Sequence, residues 1–134
     1  MKRFLLLLLL FFMLNLLSAE DIKNFSVLKV LDGDTIVINI PNIPDVFGKE
    51  ISVRIKGIDT PEKRTKNPRE KELAFKAKAR LESLMKGKIE LKNVDRDKYF
   101  RLLADVYVDG QSVAEILIRE GHARPYGGGK KEKW

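Results

Sequence analysis

Phe25-Ser26-Val27-Leu28-Lys29-Val30-Leu31, then Asp32-Gly33-Asp34, then Thr35-Ile36-Val37-Ile38-Asn39-Ile40 is the stretch that decides the fold. Both flanks are rich in strand-forming residues, which fit a pleated surface, and an Asp-Gly step interrupts them. The stretch reads as two strands joined by a turn. Working outward, Pro41 to Gly48 carries two prolines and a glycine and reads as a loop. Ile51, Val53 and Ile55 alternate with Ser52, Arg54 and Lys56, which marks a third strand. Pro61 to Pro68 is charged and lacks periodicity, so it is expected as an exposed loop. From Glu70 to Met85, Leu73, Ala74, Ala77, Leu81 and Leu84 recur at helical spacing, and Gly87 is placed to end that helix. Ile89 to Val94 and Leu102 to Val108 read as two more strands, and Asp109-Gly110 turns the chain. Ser112 with Glu115 forms a capping box for a short helix to Glu120, stopped by Gly121. The order β-β-β-α-β-β-α predicts an α+β, mainly β domain: a five-stranded OB-fold Greek-key barrel with two helices, an architecture that commonly binds oligonucleotides.

Upstream of this unit, Lys2 and Arg3 precede an apolar run from Phe4 to Leu17, broken only by Asn15. Ser18 and Ala19 then supply small residues before Glu20 and Asp21. Positive, apolar, small is the order of a secretory signal peptide, and the run is shorter than the roughly 20 residues a membrane-spanning helix needs. The chain therefore divides into a signal peptide at 1–19, the domain at 20–126 and a basic Gly/Lys tail at 127–134. The expected location is secreted or periplasmic; an uncleaved segment would instead anchor the domain at a membrane. The tail, Gly127-Gly128-Gly129 with Lys130, Lys131 and Lys133, reads as mobile. Trp134 is open between packing back on the domain and standing free.

Lys2 and Arg3 account for two of the seven net positive charges, so a chain cut after Ala19 keeps +5 on 115 of the 134 residues. A basic exported domain suits polyanions. The absence of cysteine excludes thiol catalysis, redox chemistry and Cys-based metal sites. With His122 the sole histidine, a His-rich zinc site is excluded too. A metal would have to be held mainly by oxygen, which favours calcium, magnesium or manganese.

Three clusters close predicted strands: Asp32-Gly33-Asp34-Thr35, Arg54 with Asp59-Thr60-Pro61-Glu62, and Asp97-Lys98-Tyr99-Phe100-Arg101. Each alone is an ordinary turn. Together, Asp34, Asp59 and Glu62 supply three hard carboxylates, and Arg54 and Arg101 supply guanidinium forks that match phosphate oxygens. A phosphodiester gains negative charge at its transition state, so fixed cations favour that state over the substrate. A carboxylate not consumed by a metal can take a proton from attacking water.

Val30-Leu31-Asp32-Gly33-Asp34-Thr35, Arg54-Ile55-Lys56-Gly57-Ile58-Asp59-Thr60-Pro61-Glu62 and Asp97-Lys98-Tyr99-Phe100-Arg101-Leu102-Leu103-Ala104 resemble, in order and spacing, the staphylococcal nuclease (thermonuclease-like) family. The resemblance covers about residues 25–126. It implies a calcium-dependent phosphodiester hydrolase that cuts DNA and RNA with little sequence specificity and leaves 3′-phosphate ends. It implies Asp34 and Asp59 as calcium ligands through their carboxylates and Thr60 through its carbonyl. Glu62 falls at the general base, and Arg54 and Arg101 at the scissile phosphate. Lys98 and Tyr99 fall where a second phosphate is held, and Tyr126 lies near a tyrosine that packs on the base. Phe100 stands where the family usually has glycine. No stable protein partner is implied, and a monomer is expected. The competing function is a non-catalytic OB-fold module binding nucleic acid or protein; domains of that kind usually lose some carboxylates or arginines, and this chain keeps all five.

Overall fold

The computed structural model describes residues 2–16 and 20–134, without the side chains of 11–16. Helix α1 (Lys2–Leu16) exposes its described side chains, Phe4 to Leu10 among them. Among the described residues no helix is long and apolar enough to cross a membrane. The cleavage signal expected at Leu17-Ser18-Ala19 lies outside the described residues.

The remaining elements follow in chain order. They are β1 (Glu20–Ile22), β2 (Ser26–Asp32), β3 (Thr35–Asn39), the single turn α2 (Asp45–Gly48), β4 (Ile51–Ile55) and β5 (Ile58–Asp59). Then come α3 (Pro68–Leu84), β6 (Ile89–Arg96), β7 (Leu102–Val108), β8 (Gln111–Ser112), α4 (Val113–Arg119) and β9 (Arg124–Pro125). The main sheet runs β1-β6-β7-β4-β3-β2, with β8 added to β7, and β5 pairs separately with β9. Its five long strands follow the path β2-β3-β4-β7-β6, and α3 leads from β4 and β5 to β6, as the connectivity of an OB-fold requires. The five expected strands and two expected helices are present. The sequence pattern missed β1, β5, β8, β9 and α2, each of four residues or fewer, too short to show a period.

β2 and β3 meet in antiparallel register, with Asp32 opposite Thr35. β3 is buried on both faces from Thr35 to Ile38, which matches its run of β-branched residues. Ile36, Ile38, Val53, Ile55, Leu81, Leu91 and Leu117 have 1% or less of their surface exposed and form the centre of the core. Helix α3 starts two residues before the expected Glu70. The Asn67 side chain accepts from the N–H groups of Arg69 and Glu70, and Pro68 takes the first turn, where its missing N–H costs nothing. In α4 the expected cap is made: Ser112 Oγ accepts from the Glu115 N–H at 3.3 Å.

Among the described residues only β4 and β7 pair in parallel, with Val53 opposite Leu102 and Arg54 opposite Leu103. That pairing brings the ends of two strands far apart in sequence to one edge of the sheet. The β2–β3 turn reaches the same region because α3 lies directly behind it. A Cβ at Gly33 would stand 2.8 Å from Ala77 Cβ and 3.1 Å from Thr60 Cβ. Gly33 is therefore required by close approach.

Gly33→Ala should destabilise the protein by about 1–3 kcal/mol through overpacking. Adding Ala77→Gly should recover part of that loss, although glycine in a helix itself costs about 1 kcal/mol. Denaturant unfolding of both single variants and the double variant checks this; strictly additive losses would refute the contact.

Candidate active site

The β2–β3 turn presents Asp34, and the segment after β4 presents Asp59 and Thr60. All three are deeply buried, at 8%, 7% and 5% exposure. Asp34 is held from four sides. Its Oδ1 accepts from Thr35 Oγ1 at 2.8 Å, and its Oδ2 accepts from Thr60 Oγ1 at 3.0 Å. Arg54 Nη1 lies 3.1 Å from the same Oδ2, and the Asp34 N–H donates to Asp32 Oδ1. The β3–β4 register makes this possible by setting Thr35 opposite Arg54. The Asp34 carboxyl is pushed up to about 6, mainly by burial and then by its neighbour Asp32. Arg54 and the Thr35 hydroxyl pull the other way and do not fully offset this.

Arg54 is fixed in place. Beyond Asp34, its guanidinium donates to the Ile55 carbonyl at 3.1 Å and to the Ile58 carbonyl at 2.9 Å. Those bonds tie the β4 end to the strand that carries Asp59. Arg101 is held differently. Asp97 accepts from the Tyr99 N–H at 2.9 Å, the Arg101 N–H at 3.0 Å and Arg101 Nε at 2.6 Å. Burial pushes the Asp97 carboxyl up, but the Arg101 side chain and the two backbone N–H groups outweigh it and leave it below its ordinary value. Among the described residues no hydrogen bond occupies the two Nη atoms of Arg101, so its fork is available to a ligand.

Both arginines line a groove of about 790 Å³ together with Lys98, Tyr99, Tyr126 and Lys131. The sequence-derived residues Arg54, Arg101, Lys98, Tyr99 and Tyr126 thus share one groove. A second cavity of about 480 Å³ adjoins it, sharing Tyr126 and Lys131, and contains Asp59.

Glu62 stands apart from the buried pair. Its side chain is exposed, its N–H donates to Glu70 Oε1 at 3.2 Å, and among the described residues no partner takes its carboxylate. No three carboxylate or imidazole groups converge as a metal cluster among the described residues. The donor set is two carboxylates, Asp34 and Asp59, beside Thr60. Their chemistry fits a hard divalent cation: both are oxygen donors, and both already face a cation of the protein. Arg54 sits on Asp34, and Lys131 Nζ lies 3.0 Å from Asp59 Oδ1.

The sequence reading gave no role in this site to Lys131 or Trp134, nor to Asp32 and Asp97, although the last two stand in its clusters. Asp97 was legible in principle, because a carboxylate four residues before an arginine across a tight turn can hold its Nε. Lys131 belongs to the stretch expected to be mobile, and for Trp134 the sequence leaves both packing back and standing free open. The stretch folds back, and Trp134 Nε1–H donates to Asp59 Oδ2 at 3.2 Å. That contact spans 75 residues and leaves no local pattern.

Comparison with known proteins places these residues in a family context. The family described as Staphylococcal nuclease homologue matches residues 52–133, a span that includes Arg54, Asp59, Glu62 and Arg101. The chain is 43% identical over 111 residues to Endonuclease YncB of Bacillus subtilis (strain 168), covering 80% of this chain and 50% of that protein. It is 38% identical over 109 residues to the SPbeta prophage-derived endonuclease YokF of the same organism, covering 78% of this chain and 35% of that one. It is 34% identical over 112 residues to the Thermonuclease of Staphylococcus hyicus, covering 81% and 62%. The chain thus spans half or less of the two Bacillus proteins. With a family match over more than half of its length, the chain belongs to the staphylococcal nuclease homologue family.

Proposed function

We propose that this protein is an exported, calcium-dependent nuclease that hydrolyses phosphodiester bonds of DNA and RNA and leaves 3′-phosphate ends. The observation that carries the proposal is one groove holding Arg54 and the free fork of Arg101 beside the buried Asp34–Asp59 pair. Relatives named endonuclease and thermonuclease support the reaction class. Export rests on the order of residues 1–19 alone.

The chain's own groups have separable tasks. Lys98, Tyr99 and Tyr126 line the groove where the polyanion would lie, and phosphate contacts carry no base information, so little sequence preference follows. Arg54 and Arg101 hold the non-bridging oxygens of one phosphate and favour the transition state, where charge on those oxygens grows. Glu62, whose exposed carboxylate has no partner among the described residues, accepts a proton from the attacking water. The water oxygen forms a bond to phosphorus as the bond to the 5′ oxygen breaks. The 5′ oxygen takes a proton from water, and the phosphate remains on the 3′ side. Asp34, Asp59 and the Thr60 carbonyl would hold calcium, which when bound supplies Lewis-acid polarisation of the phosphate and a template for orienting it.

Purified full-length protein should cut plasmid DNA and RNA with calcium and lose activity in chelator. Magnesium should support little, because it demands a near-ideal octahedron and holds its waters tightly. Full cleavage in chelator, or equal rates with magnesium alone, would refute the calcium reading.

Arg101→Ala should lower turnover by about 10²–10³, the scale of one transition-state donor. Glu62→Gln should lower it by about 10²–10⁴ with unfolding stability unchanged. A near-normal rate for Glu62→Gln removes it as the base.

Asp34 titrates at about 6 in the fold against 3.8 ordinarily, so between those values the folded state binds more protons than the unfolded state. Stability without metal must then fall as pH rises through that window, and the whole loss is present at pH 7. Asp34→Asn should therefore stabilise the metal-free protein at pH 7 by on the order of 1–3 kcal/mol. The gain should vanish below about pH 4, where the wild-type carboxyl is protonated in both states. Urea unfolding in chelator across pH 4–7 measures it, and a destabilised Asp34→Asn at pH 7 would contradict the assignment.

A further inference from the structure

Both oxygens of Asp59 are engaged by the segment 127–134. Lys131 Nζ lies 3.0 Å from Oδ1, and Trp134 Nε1–H donates to Oδ2 at 3.2 Å. The segment is built to reach that carboxylate. Gly128 and Gly129 adopt φ of +112° and +85°, conformations that side chains disfavour, and the chain doubles back there. Tyr126 Oη donates to the Gly129 carbonyl at 2.7 Å and closes the bend. Arg124, which pairs with Asp59 across β5 and β9, clamps the far end. Its Nη1 donates to the Lys133 carbonyl at 2.8 Å, and its guanidinium stacks 4.0 Å from the centre of the Trp134 ring.

The two donors differ in kind. The Lys131 ammonium sits on a flexible four-carbon stem, and its side chain is 48% exposed against 9% for that of Asp59. It can swing into solvent at small cost. The Trp134 indole is rigid, held by Arg124, and offers one N–H in a fixed direction. A monovalent cation on one oxygen and a fixed donor on the other is the arrangement of a cation ligand with a displaceable stand-in and an orienting partner.

We propose that the strap 127–134 sets the cation affinity of Asp59: Lys131 occupies the place of the divalent ion until displaced, and Trp134 is a positioning residue that fixes the carboxylate. The proposal rests on the reading of Asp59 as a cation ligand. Lys131 lowers affinity by competing for Oδ1, and Trp134 raises it by holding Oδ2 so that Oδ1 faces the ion.

The test is calcium binding by the full chain without nucleic acid, read by calorimetry. Lys131→Met should tighten the Kd by about 3–10-fold, as expected for removing one nearby unit charge in a partly screened site. Lys131→Arg should stay within about twofold of wild type, since the positive charge is kept. Trp134→Phe keeps an aromatic face for Arg124 but removes the N–H, and should weaken the Kd by about tenfold, the low end for loss of an orienting partner. Trp134 is the sole tryptophan, so calcium should also shift the intrinsic fluorescence of the wild type at the same concentrations. Equal Kd values for wild type, Lys131→Met and Trp134→Phe would overturn the strap proposal and leave the calcium reading standing. Absence of calcium binding by the wild type would overturn both.

Discussion

Two carboxylates placed out of water govern this structure. Asp34 and Asp59 lie at 8% and 7% exposure, flanking Thr60, which bonds to one of them. Ionised groups in such a place need hydrogen bonds and opposite charge, or they take up protons. The protein supplies both, and among the described residues no buried side-chain polar atom lacks a hydrogen-bond partner. Yet the supply is incomplete at Asp34, whose carboxyl is held up near 6 against the pull of Arg54. A fold optimised for stability alone would place an apolar or neutral residue there. Asp34 thus keeps a carboxyl that the surrounding donors and Arg54 do not fully offset.

The architecture follows from delivering the counter-charges. Arg54 must face Asp34 while a second guanidinium faces the same groove from elsewhere. The parallel β4–β7 pairing meets both demands, because it sets two strand ends beside one another although 47 residues separate Arg54 from Arg101. Parallel neighbours need a long crossover, and α3 with β6 provides it. The same crossover puts Ala77 against Gly33, so the helix that closes the core also fixes the turn carrying Asp34.

The parts of this design written in local pattern were readable from the residues. Alternation gave β4, helical spacing gave α3, and Ser112 with Glu115 gave the α4 cap. The groove residues Arg54, Lys98, Tyr99 and Arg101 stand in clusters at strand ends, where turn chemistry is visible in short windows, whereas Tyr126 was reached only through the family resemblance. What escaped was non-local. Two-residue strands such as β5 and β9 are too short to carry a period, yet they bring Arg124 beside Asp59. The Gly/Lys stretch has the composition of a flexible linker, and composition says nothing about a lysine and a tryptophan that meet a carboxylate more than 70 residues away. Glu62 is a different case. Sequence grouped it with the two aspartates, whereas the structure leaves its side chain exposed.

Phe100 shows how the second guanidinium keeps its aim without the glycine usual at its position. Its φ of 69° is in the left-handed region, where a side chain costs roughly 1 kcal/mol or more. Three features hold it there. The Phe100 N–H donates to the Asp97 carbonyl at 3.2 Å, and the Asp97 carboxylate gathers three donors from Tyr99 and Arg101. The Arg96 guanidinium, whose Nη1 also donates to the Phe100 carbonyl at 3.3 Å, lies 4.6 Å from the centre of the Phe100 ring. A glycine would reach the same φ without strain but would also leave the turn free to leave it, since its unfolded freedom is larger. The exposed ring, at 61%, adds little by burial. What Phe100 gives in exchange for the strain is a second tether, from Arg96, on a turn whose other anchor is Asp97. Both tethers act on the backbone that carries Arg101, so the fork of Arg101 is directed by a turn held at both of its ends.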